Sequence, residues 1–342
     1  MCLGLGQRMK ATGLKVGYMK PVSTQPWYQH GQLLDEDAAF AHRILSLEET
    51  PKELAPVIIT DQLLEQALEG KLDRNLMDDI RTAYEKLGEG KDVLLMEGGA
   101  NMREGTALGV RTVNVAREFD APVLLVLRWD RPMYVVDGAM TAQYRFQQFE
   151  KDLLLGVVIN SVPDTQRAFV NERIVPYLEE KGIPVFAVLP EHRNLTAISV
   201  EELLQVLGAE LLAGRDKLGA LVEELVVGAM SAHEALPRFR RYRNKAVITG
   251  GDRADIQLAA LETSTVALIL TGNLRPSQSV IGQAEVAGVA VLLVPEDTMA
   301  TVDRIERVFG KTRLGHAEKL SHFQALLAEH MDYDRLMDML EL

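Results

Sequence analysis

The sequence predicts a doubly wound, mostly parallel α/β fold followed by a smaller α/β domain, and three observations carry that expectation. Short Val/Leu/Ile runs recur without strict alternation, as in parallel strands covered on both faces. Stretches of helical period lie between them, giving a βαβ rhythm. The chain has 342 residues, a length that suggests two domains.

In the first domain the expected strands are 15–22, 92–97, 122–127, 154–160 and 184–189, with helices at 35–47, 76–87, 110–119 and 165–181. Residues 2–10 read as most of a short helix ahead of the first strand. After Gly208 the pattern loosens through Gly214 and Gly219. A second βα series follows, with strands at 224–230, 245–249, 266–270 and 290–294 and helices at 231–240, 254–261, 276–287 and 298–308. The end, 317–340, reads as helical with an acidic turn at Asp332-Tyr333-Asp334. The boundary is placed near residue 212, giving domains 1–212 and 213–342 with the terminal helices in the second.

A hydrophobic content of 47% is ample for two cores. The net charge of -12 argues against nucleic acid or an anionic membrane as partner. The lone Cys2 excludes an internal disulfide and a cysteine zinc site, which fits a cytoplasmic location. No apolar run reaches the ~20 residues that span a bilayer, and no signal-peptide layout opens the chain. There is no GxSxG and no HExxH, and the seven histidines show no ligand spacing.

Several residues have types and positions that suit chemistry. Lys20 follows the first strand, where open α/β sheets bind ligands. Its charge suits a phosphate or carboxylate, with the hydroxyls of Ser23 and Thr24 nearby in sequence. The plain alternative is a solvated lysine at a strand end. Asp37 opens a helix with Asp35 and Glu36, and Asp35 suits an N-cap. Asp37 also suits a hydrated Mg²⁺, which takes few oxygen ligands. Glu97 closes a buried strand and is followed by Gly98 and Gly99, which let backbone approach a ligand. Asn160 ends another strand with an amide that donates and accepts; Pro190 after the fifth is a weaker signal. In the second domain Gly250, Gly251, Asp252 and Arg253 join a strand to a helix whose free N–H groups suit an anion, unless Asp252 is only its cap. The run 238–243 holds Arg238, Arg240, Arg241 and Arg243. It reads as a solvated helix end, or as a site for an adenylate or an acidic partner.

Taken together, CLGLGQRMKATGLKVGYMKPVS, DEDAAF, MEGGANMREG, VVINSVPD, ITGGDRADIQLAALET and LLVPEDT resemble a known pairing. Residues 2–205 resemble the dethiobiotin-synthetase-like P-loop domain of long phosphotransacetylases, and 220–330 the DRTGG domain that follows it there. The resemblance implies ATP and Mg²⁺ as family cofactors. It implies Lys20 beside phosphate and substrate, Asp37 and Glu97 as metal ligands, and Asn160 reading adenine.

The family's G-x-x-x-x-G-K-[ST] loop is expected just before Cys2, so the first domain is expected to be incomplete as given, with a start assigned too late as the favoured reason. Mg-ATP binding by residues 1–342 is then expected in the millimolar range at best, with negligible hydrolysis. Acetyl transfer is not expected. The leading functional expectation is a regulatory or sensory protein that binds a nucleotide or small-metabolite effector and forms a homo-oligomer. The rival is a Mg-ATP-dependent ligase or carboxylase.

Overall fold

A computed structural model gives the fold. It describes every residue except 30, 149–151, 193, 194, 196 and 307–316, and the side chains of 317 and 318. The chain divides into two compact units, Met1–Glu191 with Leu320–Leu342, and His192–Lys319. Among the described residues no helix is long and apolar enough to cross a membrane.

The first unit opens with α1 (Cys2–Ala11) and β1 (Val16–Met19). An antiparallel hairpin, Pro26–Gln29 with Gln32–Asp35, leads into α2 (Glu36–Ile44). Then come β2 (Val93–Met96), α3 (Thr112–Glu118), β3 (Val123–Arg128), β4 (Leu154–Val162) and β5 (Val185–Pro190). The strand β1 pairs in parallel with β2, from Val16 opposite Val93 to Met19 opposite Met96. The strands β3, β4 and β5 form a separate parallel ladder in that order. The expected strands are all present, trimmed or extended by a few residues. The hairpin was not anticipated, since Pro26, Gln29 and Gln32 break any apolar alternation.

The apolar runs build separate hydrophobic clusters here. Tyr18 and Met19 pack with Ala38, Leu45, Ile80 and Leu87, while Val157 and Ile159 pack with Val135, Ile174 and Leu178. Each buried Val, Leu or Ile contributes roughly 1.5–3 kcal/mol. The single helix α3 touches both ladders. Its Val115 joins the cluster that holds Leu94 and Met96, and its Val113 and Ala116 join Val123 and Leu125. All four residues of β2 are only half-buried, and Val126 of β3 is 40% exposed. Among the described strands, β2 pairs only with β1 and β3 only with β4.

The open side of β3 has a direct readout. Val123 donates its N–H to Leu153 O at 2.7 Å and Trp129 to Asn160 O at 2.8 Å, so alternate residues face β4. The N–H groups of Leu124 and Val126 therefore point to the other edge. Hydrogen exchange at Leu124 and Val126 should run about a hundredfold faster than at Leu125 and Leu127. Equal protection at all four positions would show that a partner strand covers this edge.

The segment 320–342 returns to the first unit rather than staying with the second, where the sequence reading placed it. The reason is specific docking on β5. Asp332 donates its N–H to Phe186 O at 2.8 Å, and Arg335 forks onto Glu179 at 2.8 and 3.0 Å. The helical stretch expected across 317–340 is interrupted at Met331–Asp332, at the start of the expected acidic turn, where Asp332 caps a new helix, α7 (Tyr333–Leu340).

In the second unit β6 (Glu210–Ala213), β7 (Glu224–Val227), β8 (Lys245–Gly250), β9 (Thr265–Thr271) and β10 (Ala290–Leu293) form one sheet, ordered β6-β10-β9-β8-β7. Only β6 runs antiparallel, against β10. Alternate residues feed opposite faces. Val247, Leu268 and Val291 pack beneath α4 (Ala232–Phe239), α5 (Ala254–Leu261) and α6 (Gln278–Ala287). Ile248, Ile269 and Leu292 pack with Val200, Leu203 and Leu207 of helix Val200–Leu207 and with Ile305 of helix Thr298–Glu306. Residues 307 and 308 of the expected 298–308 helix lie outside the described residues. Because helix Val200–Leu207 covers this sheet, the units part at Glu191/His192, ahead of the expected boundary at 212.

Lys245 opens β8 fully buried, and among the described residues it forms no ion pair. Its ammonium donates to Thr263 Oγ1 at 2.8 Å, Ser264 O at 2.9 Å and Tyr242 O at 3.4 Å. Burial pulls its pKa down from 10.5 to about 8. The unfolded chain then holds the extra proton between those values, so this group's stability contribution rises with pH across that window. Unfolding of wild type against Lys245→Met should show a difference of about 1–3 kcal/mol developing between pH ~8 and ~10.5. Parallel pH profiles for the two proteins would refute the assignment.

Candidate functional site

The first unit gathers its polar side chains where β1 and β2 end. Lys20 follows Met19 directly, and its N–H bonds Leu54 O at 2.8 Å, which fixes the chain as it leaves the sheet. The side chain is 7% exposed. Its ammonium donates to Asp37 Oδ2 and lies 3.1 Å from Asp35 Oδ2. Asp35 is the N-cap of α2, as its position in the sequence suggested. Its Oδ1 accepts from Ala38 N at 2.7 Å and its Oδ2 from Ser23 Oγ at 2.6 Å. Ser23 therefore lies fully buried beneath the site, holding Asp35 rather than facing a ligand.

Glu97 leaves β2 with its N–H on Met19 O at 2.8 Å, and its Oε2 accepts from Tyr18 Oη at 2.6 Å. Burial pushes the Glu97 carboxyl pKa up, and the negative charge of Asp37 pushes it further. Burial lowers the Lys20 pKa, but Asp37, Asp35 and Glu97 together outweigh that and raise it. Burial and Glu97 push the Cys2 thiol up to about 12, so it is no nucleophile near neutral pH.

These groups open onto a cavity of about 260 Å³ lined by Lys20, Asp37, Glu97, Gly98, Gly99 and Glu104, among others. Glu104 was not singled out from the sequence. It accepts from Ala100 N at 3.2 Å, Asn101 Nδ2 at 3.1 Å and Thr24 Oγ1 at 3.3 Å, tying the two loops that rim the cavity. A Cβ on Gly99 would sit 2.1 Å from Glu104 Oε2, so the glycine allows this closure.

The structure thus brings together Lys20, Asp37, Glu97, Gly98 and Gly99. Asn160 and Pro190 stand at the ends of β4 and β5 on the other ladder and do not line this cavity. Gly250, Gly251, Asp252 and Arg253 lie in the second unit. There Arg253, not Asp252, occupies the N-cap position of α5. Its guanidinium is engaged with Met230 O at 2.9 Å and with both oxygens of Asp255.

Among the described residues no group of three or more His, Cys, Asp or Glu is placed to hold a metal. Mg²⁺ needs less, since it keeps waters and takes one or two carboxylates with phosphate oxygens. Asp37 and Glu97 line the same cavity and offer two carboxylates of that kind, and the charge of Asp37 raises the cost of ionising Glu97, which a bound cation would offset. Lys20 lines the same cavity, with a cationic head of the kind that suits a phosphate.

Residues 1–199 match the model of an AAA domain family, and residues 202–308 match that of the DRTGG domain. A phosphate acetyltransferase of Pseudomonas putida is 25% identical across 96% of this chain and 48% of its own length. An ATP-dependent dethiobiotin synthetase of Methanococcus vannielii is 27% identical across 57% of this chain and 83% of its own. The crystal structure of the CBS and DRTGG domains of the regulatory region of Clostridium perfringens pyrophosphatase, complexed with the activator diadenosine tetraphosphate, is 22% identical. It covers 44% of this chain and 73% of that one, with a TM-score of 0.31. The chain spans about half the length of the phosphate acetyltransferases it matches.

Proposed function

Since the chain belongs to the dethiobiotin-synthetase-like AAA domain family and carries a DRTGG domain after it, we propose that its first unit binds a nucleotide or small phosphorylated metabolite as a regulatory effector. The observation that carries this reading is the Lys20 ammonium, held between Asp35 and Asp37 at the carboxyl end of a parallel strand and opening on the same cavity as Glu97. Lys20 meets a phosphate oxygen, at the cost of loosening its bond to Asp37. Asp37 and Glu97 hold a hydrated divalent cation, which when bound offsets the charge of the phosphates. Tyr18 keeps Glu97 oriented. The regulatory reading rests on the pairing of the two domains, a pairing whose likeness to phosphate acetyltransferases runs through both units and over about half of those proteins' length. The protein is proposed to act in the cytoplasm as a homo-oligomer.

A second reading is a Mg-ATP-dependent ligase or carboxylase of the dethiobiotin synthetase type. The likeness that spans 83% of the Methanococcus vannielii enzyme favours it. Turnover separates the two. ATP hydrolysis that depends on an amine or carboxylate substrate and disappears in Glu97→Gln would establish the ligase. Nucleotide binding without turnover, with a shift in oligomeric state or partner affinity, supports regulation.

A further inference from the structure

The basic run of the second unit is unlike the rest of this acidic chain. No Asp or Glu occurs from 235 to 251, while Arg238, Arg240, Arg241, Arg243 and Lys245 all do. All four arginines are exposed, and none forms an ion pair among the described residues. The dipole of α4 accounts for cations in its last turn. It does not account for Arg241 and Arg243, because the helix ends at Phe239. Tyr242 lies among them, 39% exposed. Arg and Tyr are the side chains enriched at protein interfaces.

An apolar groove lies on the same face. The helices α4, α5 and α6 pack side by side there, and as crossovers between parallel strands they end at the amino-terminal edge of the sheet. Between α5 and α6 is a groove of about 410 Å³, lined by Leu261, Glu262, Gly282, Val286 and Ala287 among others. Val286 is 92% exposed, and nothing lies within 4 Å of a Cβ built on Gly282. Unpaired guanidiniums after α4 and exposed apolar side chains along α6, on one face of the sheet, suit an acidic, partly apolar helix.

The chain itself carries one. The helix α7 exposes Asp334 and Asp338 one turn apart, with Glu341 at its end. None of the three forms an ion pair among the described residues. Met339 and Leu342 beside them are each 44% exposed. The net charge of -12 makes a second copy an anionic partner for the one strongly basic run singled out in the sequence.

We propose that the 238–243 turn and the α5–α6 groove dock the 333–342 segment of a second copy of this chain, carboxylates on arginines and Met339 and Leu342 beside Val286. This contact does not depend on the nucleotide reading.

Sedimentation of the full chain at low and high salt tests it. Association at low ionic strength should weaken at least tenfold at high salt. It should also weaken at least tenfold in Arg240→Glu/Arg241→Glu/Arg243→Glu, in Val286→Asp and in Asp334→Lys/Asp338→Lys. Combining the arginine and aspartate reversals in one chain should recover most of it. All these side chains are exposed, so melting temperatures should stay unchanged and report intact folding. A monomer under every condition would overturn the proposal. Association indifferent to the arginine reversal, or lost there but indifferent to the α7 reversal, would overturn it equally.

Discussion

Lys20→Met is expected to lower the stability of the first unit by about 3 kcal/mol, because it removes one partner of a buried ion pair. Asp35 is 1% exposed and would keep only Ser23 and the Ala38 N–H as partners. Asp37, whose side chain is 45% exposed, can turn to water and soften the loss. The pKa of Lys20 is raised in the fold, so its contribution is complete below the ordinary lysine value near 10.5. It is lost only as pH rises through the higher folded value. Denaturant unfolding across neutral pH should therefore show a constant deficit for the variant. A deficit under about 1 kcal/mol would mean that Lys20 behaves as a solvated strand-end lysine.

Gly251→Ala should cost the second unit about 3 kcal/mol or more. A Cβ there would lie 1.6 Å from Leu274 O and 2.5 Å from Leu274 C, both backbone atoms that cannot swing aside. The loops after β8 and β9 would have to separate. Gly282→Ala gives the contrast. Its Cβ meets nothing within 4 Å, and the position lies inside α6. The change should stabilise by up to ~1 kcal/mol through helix propensity. Similar effects at the two positions would contradict the packing described for the first.

The inner parallel strands of the second unit were legible because both faces of each are covered, so apolar residues run on without alternating. In β8, Val247 faces one core and Ile248 the other. The Asp35 cap was legible because capping depends on a few neighbouring residues. The edge strand β6 was not. It has four residues set between Gly208, a left-handed helix cap, and Gly214, whose missing Cβ lets it lie against Ala290. In the sequence alone those glycines read as a linker, which puts the expected boundary near 212. In the site, residue types pointed to Lys20, Asp37 and Glu97. The partner of each depended on folding, as with Tyr18 on Glu97. Glu104 meets Thr24 across 80 positions of sequence, which no local pattern reveals.

Calorimetric titration of the full chain with ATP, with and without Mg²⁺, bears most directly on the proposed effector site. Binding should be weak, since Lys20 must loosen its carboxylate partners, and it should require Mg²⁺. It should weaken at least tenfold in the near-isosteric Glu97→Gln. It should also fall as pH drops through the raised pKa of Glu97, because the protonated carboxyl no longer draws a cation. No heat from turnover should follow. Micromolar binding that ignores Mg²⁺ and survives Glu97→Gln but vanishes in Arg253→Ala would contradict the account and move the nucleotide to the second unit.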